Sequence, residues 1–107
     1  MPQETRPFDP AEYLMTPEGI EEYLCAAFET DDPAEIADAL GVVSRSKGMT
    51  RLANETGLTR PALYKALSSQ GRPEFSTVLR VAHALGFRLR PERLPNRRHS
   101  TAEAGRV

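Results

Sequence analysis

Apolar residues recur three or four positions apart in several short stretches of this chain, a spacing typical of helices that bury one face. The first stretch follows Thr16-Pro17-Glu18, which offers a capping hydroxyl and a proline suited to the first helical position, and it predicts a helix to about Glu29. The second follows Asp32-Pro33 and predicts a helix to about Ser46, with Gly48 placed to stop it. The expected buried positions are Ile20, Tyr23, Leu24, Ala27 and Phe28 in the first helix and Ile36, Leu40 and Val43 in the second.

The segment from Met49 to Ser68 reads MTRLANETGLTRPALYKALS and predicts two short helices joined by a tight turn. Thr50 is expected to cap the first helix, and Gly57 supplies the conformation that the turn needs. Thr59 is expected to cap the second helix, because Pro61 is compatible only with a first helical turn. The small Ala53 suits the helix crossing, and the residues expected to face the core are Leu52, Leu58, Leu63 and Leu67. This pattern predicts a helix-turn-helix.

A final helix is expected after a cap at Ser76, with Gly86 at its stop position and a buried stripe of Val78, Val81, Ala82 and Leu85. Phe87-Arg88-Leu89-Arg90 alternates apolar and basic residues, which predicts a short strand. The predicted fold is therefore all-α, with five helices and a short C-terminal strand. We expect an extended arm over residues 1–15, a helix-turn-helix domain over residues 16–94 and a disordered tail over residues 95–107.

Composition narrows the class of protein. The 107 residues suffice for one domain, and they include no apolar stretch long enough to span a membrane and no secretory leader, so we expect a cytoplasmic protein. Cys25 has no second cysteine to pair with, and it is interpreted as a small packing residue. No carboxylate pair, His/Cys set or phosphate-binding glycine loop stands in a suitable context, so we expect no catalytic activity, no metal and no cofactor.

The formal net charge of −1 hides a strong asymmetry along the chain. Residues 1–47 contain 11 acidic and 3 basic residues, a net charge of −8, whereas residues 48–107 contain 4 acidic and 11 basic residues, a net charge of +7. Such a division suggests two partners of opposite charge.

The basic half contains the helix-turn-helix, whose outward residues are of the types that bind DNA. Arg60 can bind a guanine edge bidentately, Lys65 suits a phosphate, and Tyr64 either contacts the groove or packs on the protein. The candidate DNA-binding residues are Thr50, Arg51, Thr59, Arg60, Pro61, Tyr64, Lys65 and Ser68. An ordinary helical hairpin with a solvated basic face is the structural alternative.

Three stretches resemble the addiction-module antidote proteins, HigA-like antitoxins with a lambda-repressor-like helix-turn-helix. They are PFDPAEYL at residues 7–14, LANETGLTRPALYKALS at residues 52–68, and TVLRVAHALGFRL within residues 75–89, so that the likeness extends over about residues 7–94. The resemblance implies that the protein neutralises a RelE/ParE-like toxin and represses its own operon. Arg72 departs from the family pattern, in which a small polar residue is expected.

The resemblance gives the acidic half a partner, since RelE-like toxins are usually basic. Carboxylates can steer a cationic partner and aromatic residues can anchor it. The candidate toxin-binding residues are Phe8, Tyr13, Glu18, Glu21, Glu22 and Tyr23. Phe8 and Tyr13 can alternatively cover the protein's own core.

A two-fold dimer on palindromic operator DNA is also expected, because one small helix-turn-helix buries little DNA surface. The predicted strand can pair with its symmetry mate, and the candidate dimerisation residues are Val81, Leu85, Phe87 and Leu89.

Two other functions stay open at this point. The chain could be a stand-alone repressor of the same fold without a toxin, which the absence of a neighbouring toxin gene would favour. It could also be a protein-interaction module whose helix-turn-helix is only a scaffold, which a lack of DNA affinity at low salt would favour.

Overall fold

Five α-helices account for most of residues 16–95, the part of the chain that the computed structural model describes. They are α1 (Pro17–Glu29), α2 (Pro33–Lys47), α3 (Met49–Thr56), α4 (Arg60–Ala66) and α5 (Phe75–Ala84). The all-α class and the five helices predicted from the sequence are confirmed. None of these helices is long and apolar enough to cross a membrane.

Local side-chain chemistry explains where the first two helices begin. The Thr16 hydroxyl oxygen accepts a hydrogen bond from the Gly19 N–H at 2.9 Å, and the Asp32 carboxylate accepts one from the Ala34 N–H at 2.9 Å. Each cap is followed by a proline, which has no N–H to leave unsatisfied at this position. Both predicted helix starts are confirmed.

Helix α2 lies at the centre of the fold and contacts all four other helices. It therefore buries residues around much of its circumference, namely Ala37, Ala39, Leu40, Gly41, Val43 and Ser44. The other helices contribute Ile20, Leu24, Leu52, Leu63, Leu67 and Val81, with Met49 and Leu85 from helix ends, to the same core. The core thus holds α3 and α4 against the central helix α2.

The start of α3 differs from the sequence prediction. Gly48, with φ of 107°, both ends α2 and precedes α3, whose N-terminus has no side-chain cap. Thr50 is therefore the second residue of α3 and does not cap it, so the predicted cap was wrong. The reason is that one glycine changes the chain direction between two helices and leaves no separate linker.

The last helix also begins earlier than predicted. Its N-cap is Glu74, without a side-chain hydrogen bond, and Ser76 is already helical, so the predicted cap at Ser76 was wrong. The helix ends in a Schellman arrangement, in which the Gly86 N–H donates to the His83 carbonyl at 3.0 Å and the Phe87 N–H donates to the Ala82 carbonyl at 2.8 Å.

The C-terminal strand predicted over Phe87-Arg88-Leu89-Arg90 is not present among residues 16–95, which contain no strand. The Phe87 N–H is committed to closing α5, and this part of the chain offers no second extended segment as a partner. The alternation of apolar and basic residues here reflects partial burial of Phe87 and Leu89.

Cys25 is exposed on α1, so its interpretation as a packing residue was wrong. It lies beside the apolar stripe of the helix, on the side that faces solvent. The predicted N-terminal arm and most of the predicted tail lie outside the described residues.

Candidate nucleic-acid interface

The turn between α3 and α4 is built by Thr56 and Gly57. Gly57 adopts a left-handed conformation with φ of 78°, as the sequence predicted. The buried Thr56 hydroxyl donates to the Leu52 carbonyl at 2.7 Å and accepts from the Leu58 N–H at 3.3 Å. Sequence analysis assigned Thr56 no role, although a threonine directly before a turn glycine is a signal for such a bond.

The N-terminus of α4 is defined by a side-chain cap and a proline. The Thr59 hydroxyl oxygen accepts from the Ala62 N–H at 3.1 Å, and Pro61 lies in the first turn, so the predicted start of this helix is confirmed. Leu63 and Leu67 are fully buried, and they pack with Leu52 of α3 in the core. These anchors determine which side of α4 faces outward.

The outward side of α4 carries most of the candidate DNA-binding residues. The exposed ones are Thr59, Arg60, Pro61, Tyr64 and Lys65, whereas Ser68 after the helix is half-buried. At the start of α3, Thr50 and Arg51 are exposed as well. The geometry therefore leaves all of these side chains except Ser68 open to a ligand.

Arg60 and Tyr64 form a pair on one flank of α4. The Arg60 guanidinium carbon lies 5.9 Å from the centroid of the Tyr64 ring, within cation–π range, and Tyr64 is 43% exposed. Tyr64 is therefore an exposed side chain that holds Arg60 along the helix. The exposed part of the Tyr64 ring is open to a groove.

Arg51 is paired within its own helix. Its Nε lies 3.0 Å from Oε2 of Glu55, and the two side chains are 63% and 41% exposed. This is the only ion pair within 4 Å among residues 16–95. An exposed pair four residues apart stabilises a helix by only about 0.3–0.5 kcal/mol, so Arg51 can exchange Glu55 for another anion at small cost.

The acidic candidates lie on α1, away from the helix-turn-helix sequence. Glu18, Glu21 and Glu22 are exposed, whereas Tyr23 is half-buried and packs against the core. Burial, followed by the nearby Asp38, raises the pKa of the Tyr23 hydroxyl. Phe8 and Tyr13 lie outside the described residues, so the structure brings together the three glutamates only.

The candidate dimerisation residues do not share a surface. Val81 is 0% exposed and Leu85 is 7% exposed, because both pack inside the core of their own chain. Phe87 also packs against this core and Leu89 is partly buried. The part of the prediction that placed Val81 and Leu85 against a second subunit does not fit this packing.

The charge asymmetry persists in the described part of the chain. Residues 16–47 contain 8 acidic and 2 basic residues, whereas residues 48–95 contain 3 acidic and 8 basic residues. Helices α1 and α2 and the turn between them thus carry most of the acidic charge, whereas the basic residues are divided between the helices α3, α4 and α5, the loop before α5 and the segment after it. No group of three His, Cys, Asp or Glu side chains within residues 16–95 is arranged to hold a metal ion.

Comparison with known proteins identifies the family. The sequence model of the family described as probable addiction module antidote protein matches residues 4–93. This chain belongs to that family. The antidote family match extends over all five helices, α3 and α4 included.

A relative of this chain occurs in Haemophilus influenzae. The two are 39% identical over 87 residues, which correspond to 81% of this chain and 90% of the relative, a protein described only as uncharacterized. No solved structure gives a significant match to the chain. Membership of the antidote family implies, in general terms, a toxin as partner.

Proposed function

We propose that this antidote protein neutralises a basic RelE/ParE-like toxin by direct binding and represses its own operon through α3 and α4. In this proposal the helices form a lambda-repressor-like helix-turn-helix of the HigA-like type, and the protein acts in the cytoplasm as a homodimer on palindromic DNA. The observation that carries the DNA-binding role is the outward face of α4.

Two features of α4 suit a recognition helix. Its N-terminus is exposed and capped by Thr59; because Pro61 has no N–H and the Ala62 N–H donates to Thr59, the Arg60 N–H is the first-turn donor left to face a phosphate oxygen. Arg60 and Lys65 have no acidic side chain within 4 Å among residues 16–95. DNA can therefore bind both cations without breaking an ion pair within residues 16–95.

The two cations are proposed to do different work. Arg60 lies in the first turn, the part of a recognition helix that approaches base edges, and its planar guanidinium can bind guanine bidentately. Lys65 lies in the last turn and carries a point charge suited to a phosphate. Sequence specificity then depends mainly on Arg60.

The test uses fluorescence anisotropy with duplex DNA from upstream of the chain's own gene. Lys65→Ala is expected to weaken binding equally for all sequences, whereas Arg60→Ala is expected to cost about 1–3 kcal/mol at one base pair and to relax the preference there. Arg45→Ala, which removes an exposed cation of α2, is the matched control and is expected to bind normally. A double variant of Arg60 and Lys65 that binds the operator as well as the unmodified protein would refute this role of α4.

The toxin-binding role rests on the acidic face of α1. Glu18, Glu21 and Glu22 are exposed and have no cation within 4 Å among the described residues, so they can attract a basic partner and orient it. Charges at the rim of an interface mainly change the association rate, so apolar anchors are also required. We propose that residues 1–14, with Phe8 and Tyr13, supply them.

Co-expression with the product of the neighbouring gene tests this role. The full chain is expected to restore growth and to co-purify with the toxin, whereas a variant that lacks Met1 to Leu14 is expected to bind operator DNA and fail to neutralise. Neutralisation by the truncated chain would refute the role of the arm. Normal operator binding without any toxin partner would favour a stand-alone repressor.

The dimer is proposed to use Phe87 and Leu89, the two candidates that keep exposed surface. Sedimentation with and without operator DNA tests it at micromolar protein concentration. A monomer that operator DNA leaves unchanged would contradict this part of the proposal.

A further inference from the structure

An open cleft lies between α4 and the loop that follows it. Its volume is about 580 Å³, and it is lined by Ala62, Lys65, Ala66, Ser68, Gln70, Gly71 and Arg72. Of these residues, sequence analysis assigned a role only to Lys65 and Ser68. Arg72 is the residue that departs from the pattern expected of the antidote family.

The backbone at Gly71 packs directly on the C-terminal end of α4. A Cβ atom placed on Gly71 would lie 2.2 Å from the Ala66 carbonyl oxygen and 2.6 Å from that of Lys65, distances that real Cβ atoms do not show. The Gly71 N–H also donates to the Ser68 carbonyl at 2.9 Å. The absence of a side chain at position 71 therefore permits the loop to fold back, so that Arg72 and Lys65 line the same cleft.

The chemistry of the cleft favours an anion. Lys65 and Arg72 are exposed cations without an acidic partner within 4 Å among residues 16–95. Gln70 adds an amide that can donate hydrogen bonds, whereas the Ser68 hydroxyl already donates to the Lys65 carbonyl at 3.3 Å, and the lining includes the small Ala62 and Ala66. Phosphodiester oxygens are bound in proteins by this mixture of cations and neutral donors.

The cleft also lies on a defined flank of α4. With Leu63 pointing to the core, the helical period places Ala62, Lys65 and Ala66 on one side and Arg60 and Tyr64 on the other. A DNA groove that receives the outward face of α4 has a sugar-phosphate backbone on each side. The cleft thus faces one of these two backbones.

We propose that this cleft binds the DNA backbone, with Lys65 and Arg72 as its phosphate-binding cations and Gly71 as a positioning residue. The inference rests on the proposed function and adds a second contact region to α4. It also explains why a cation occupies position 72: each cation neutralises one phosphate of the same strand.

The test measures affinity for a random-sequence duplex of 20 base pairs as a function of NaCl concentration, since phosphate contacts do not depend on sequence. The logarithm of the affinity falls as the logarithm of the salt concentration rises, and each phosphate neutralised contributes about 0.9 to the steepness of this slope. Arg72→Ala is expected to make the slope less steep by about 0.9, and the double variant with Lys65→Ala is expected to make it less steep by about 1.8. Arg45→Ala on α2 is the charge-matched control and is expected to keep the full slope.

Gly71→Ala tests the position of the loop without changing the charge of Arg72. It keeps every charge of the protein, yet it is expected to lower the slope about as much as Arg72→Ala, because the loop can no longer pack on α4. Thermal melting shows whether this variant folds, and Arg72→Ala carries the test if it does not.

Three outcomes decide the matter. A reduced slope for Arg72→Ala with a normal slope for Arg45→Ala supports the cleft. If the unmodified protein binds the duplex and Lys65→Ala alone reduces the slope, the cleft proposal is overturned while the DNA-binding role of α4 stands. If the unmodified protein has no affinity for DNA at low salt, the proposed function itself fails.

Discussion

Replacing Gly41 by alanine should reveal how tightly α2 and α4 are packed. A Cβ atom on Gly41 would lie 2.1 Å from the Leu67 carbonyl oxygen, which belongs to the backbone at the end of α4. Two effects oppose each other. Alanine is the better helix former by about 0.5–1 kcal/mol, whereas overpacking a well-filled core costs about 1–3 kcal/mol.

The steric effect should win, because the neighbour is backbone and cannot rotate away as a side chain could. We expect Gly41→Ala to lower the free energy of unfolding by about 1–2 kcal/mol, which corresponds to a fall of about 4–16 °C in Tm for a domain of this size. Urea unfolding followed by circular dichroism measures the difference. The same helix provides a control, since Ser46 is exposed on α2.

Comparing Ser46→Ala with Ser46→Gly gives the helix-propensity difference without the clash, and alanine is expected to be the more stable by about 0.5–1 kcal/mol. If Gly41→Ala is as stable as the unmodified protein or more stable, the close approach of α4 to α2 does not constrain the fold. The argument that α2 fixes the position of α4 would then be refuted.

Three further predictions concern single side chains. Ser44 is 0% exposed and its hydroxyl has no hydrogen-bond partner among residues 16–95, so Ser44→Ala is expected to raise the free energy of unfolding by about 1 kcal/mol; a loss of stability in urea unfolding would contradict this. Glu55→Gln is expected to release Arg51 and to raise the affinity for duplex DNA about twofold in anisotropy, and an unchanged or weaker affinity would argue against a DNA contact by Arg51. Partial burial, and then Glu21, raises the pKa of the Cys25 thiol, so at pH 7.5 less thiolate is present and alkylation by iodoacetamide is expected to be slower than for an unstructured cysteine peptide. Glu21→Gln should accelerate that reaction, and a thiol that reacts faster than the peptide would show the direction to be wrong.

The helix starts could be predicted because they depend on neighbours in sequence. Thr16, Asp32 and Thr59 each accept a hydrogen bond from an N–H two or three residues further on, and a proline follows each within two positions. The information needed for such a cap lies within four residues. The starts of α3 and α5 lack a side-chain cap, and there the polar residues Thr50 and Ser76 were misleading.

The features that sequence analysis missed depend on where distant segments meet. Nothing near Gly41 or Gly71 in the sequence indicates that another backbone lies where a Cβ atom would stand. The placement of Arg72 and Lys65 in the same cleft follows from that approach, so it could not be predicted from spacing. The strand at Phe87 was predicted because alternation was considered without the Schellman closure, which uses the Phe87 N–H.

Burial differs between the two sets of candidate interface residues. The outward face of α4 was predicted correctly in exposure, because Leu63 and Leu67 define the opposite face. Val81 and Leu85 were assigned to the core stripe and to a dimer contact at the same time. Both side chains are buried in the core of their own chain, because α2 and α3 cover the one apolar face of α5.

An NMR titration of the ¹⁵N-labelled full chain with duplex DNA from upstream of its gene tests the DNA-binding role of α4 most directly. The account predicts that the largest changes in amide chemical shift occur at Thr59, Arg60, Tyr64 and Lys65, with smaller changes at Arg51. The amide chemical shifts of α1 are expected to stay unchanged, because its acidic face suits a basic partner and repels DNA phosphates. Changes that concentrate on α1 and leave α4 unaffected, or no changes at low salt, would contradict the account.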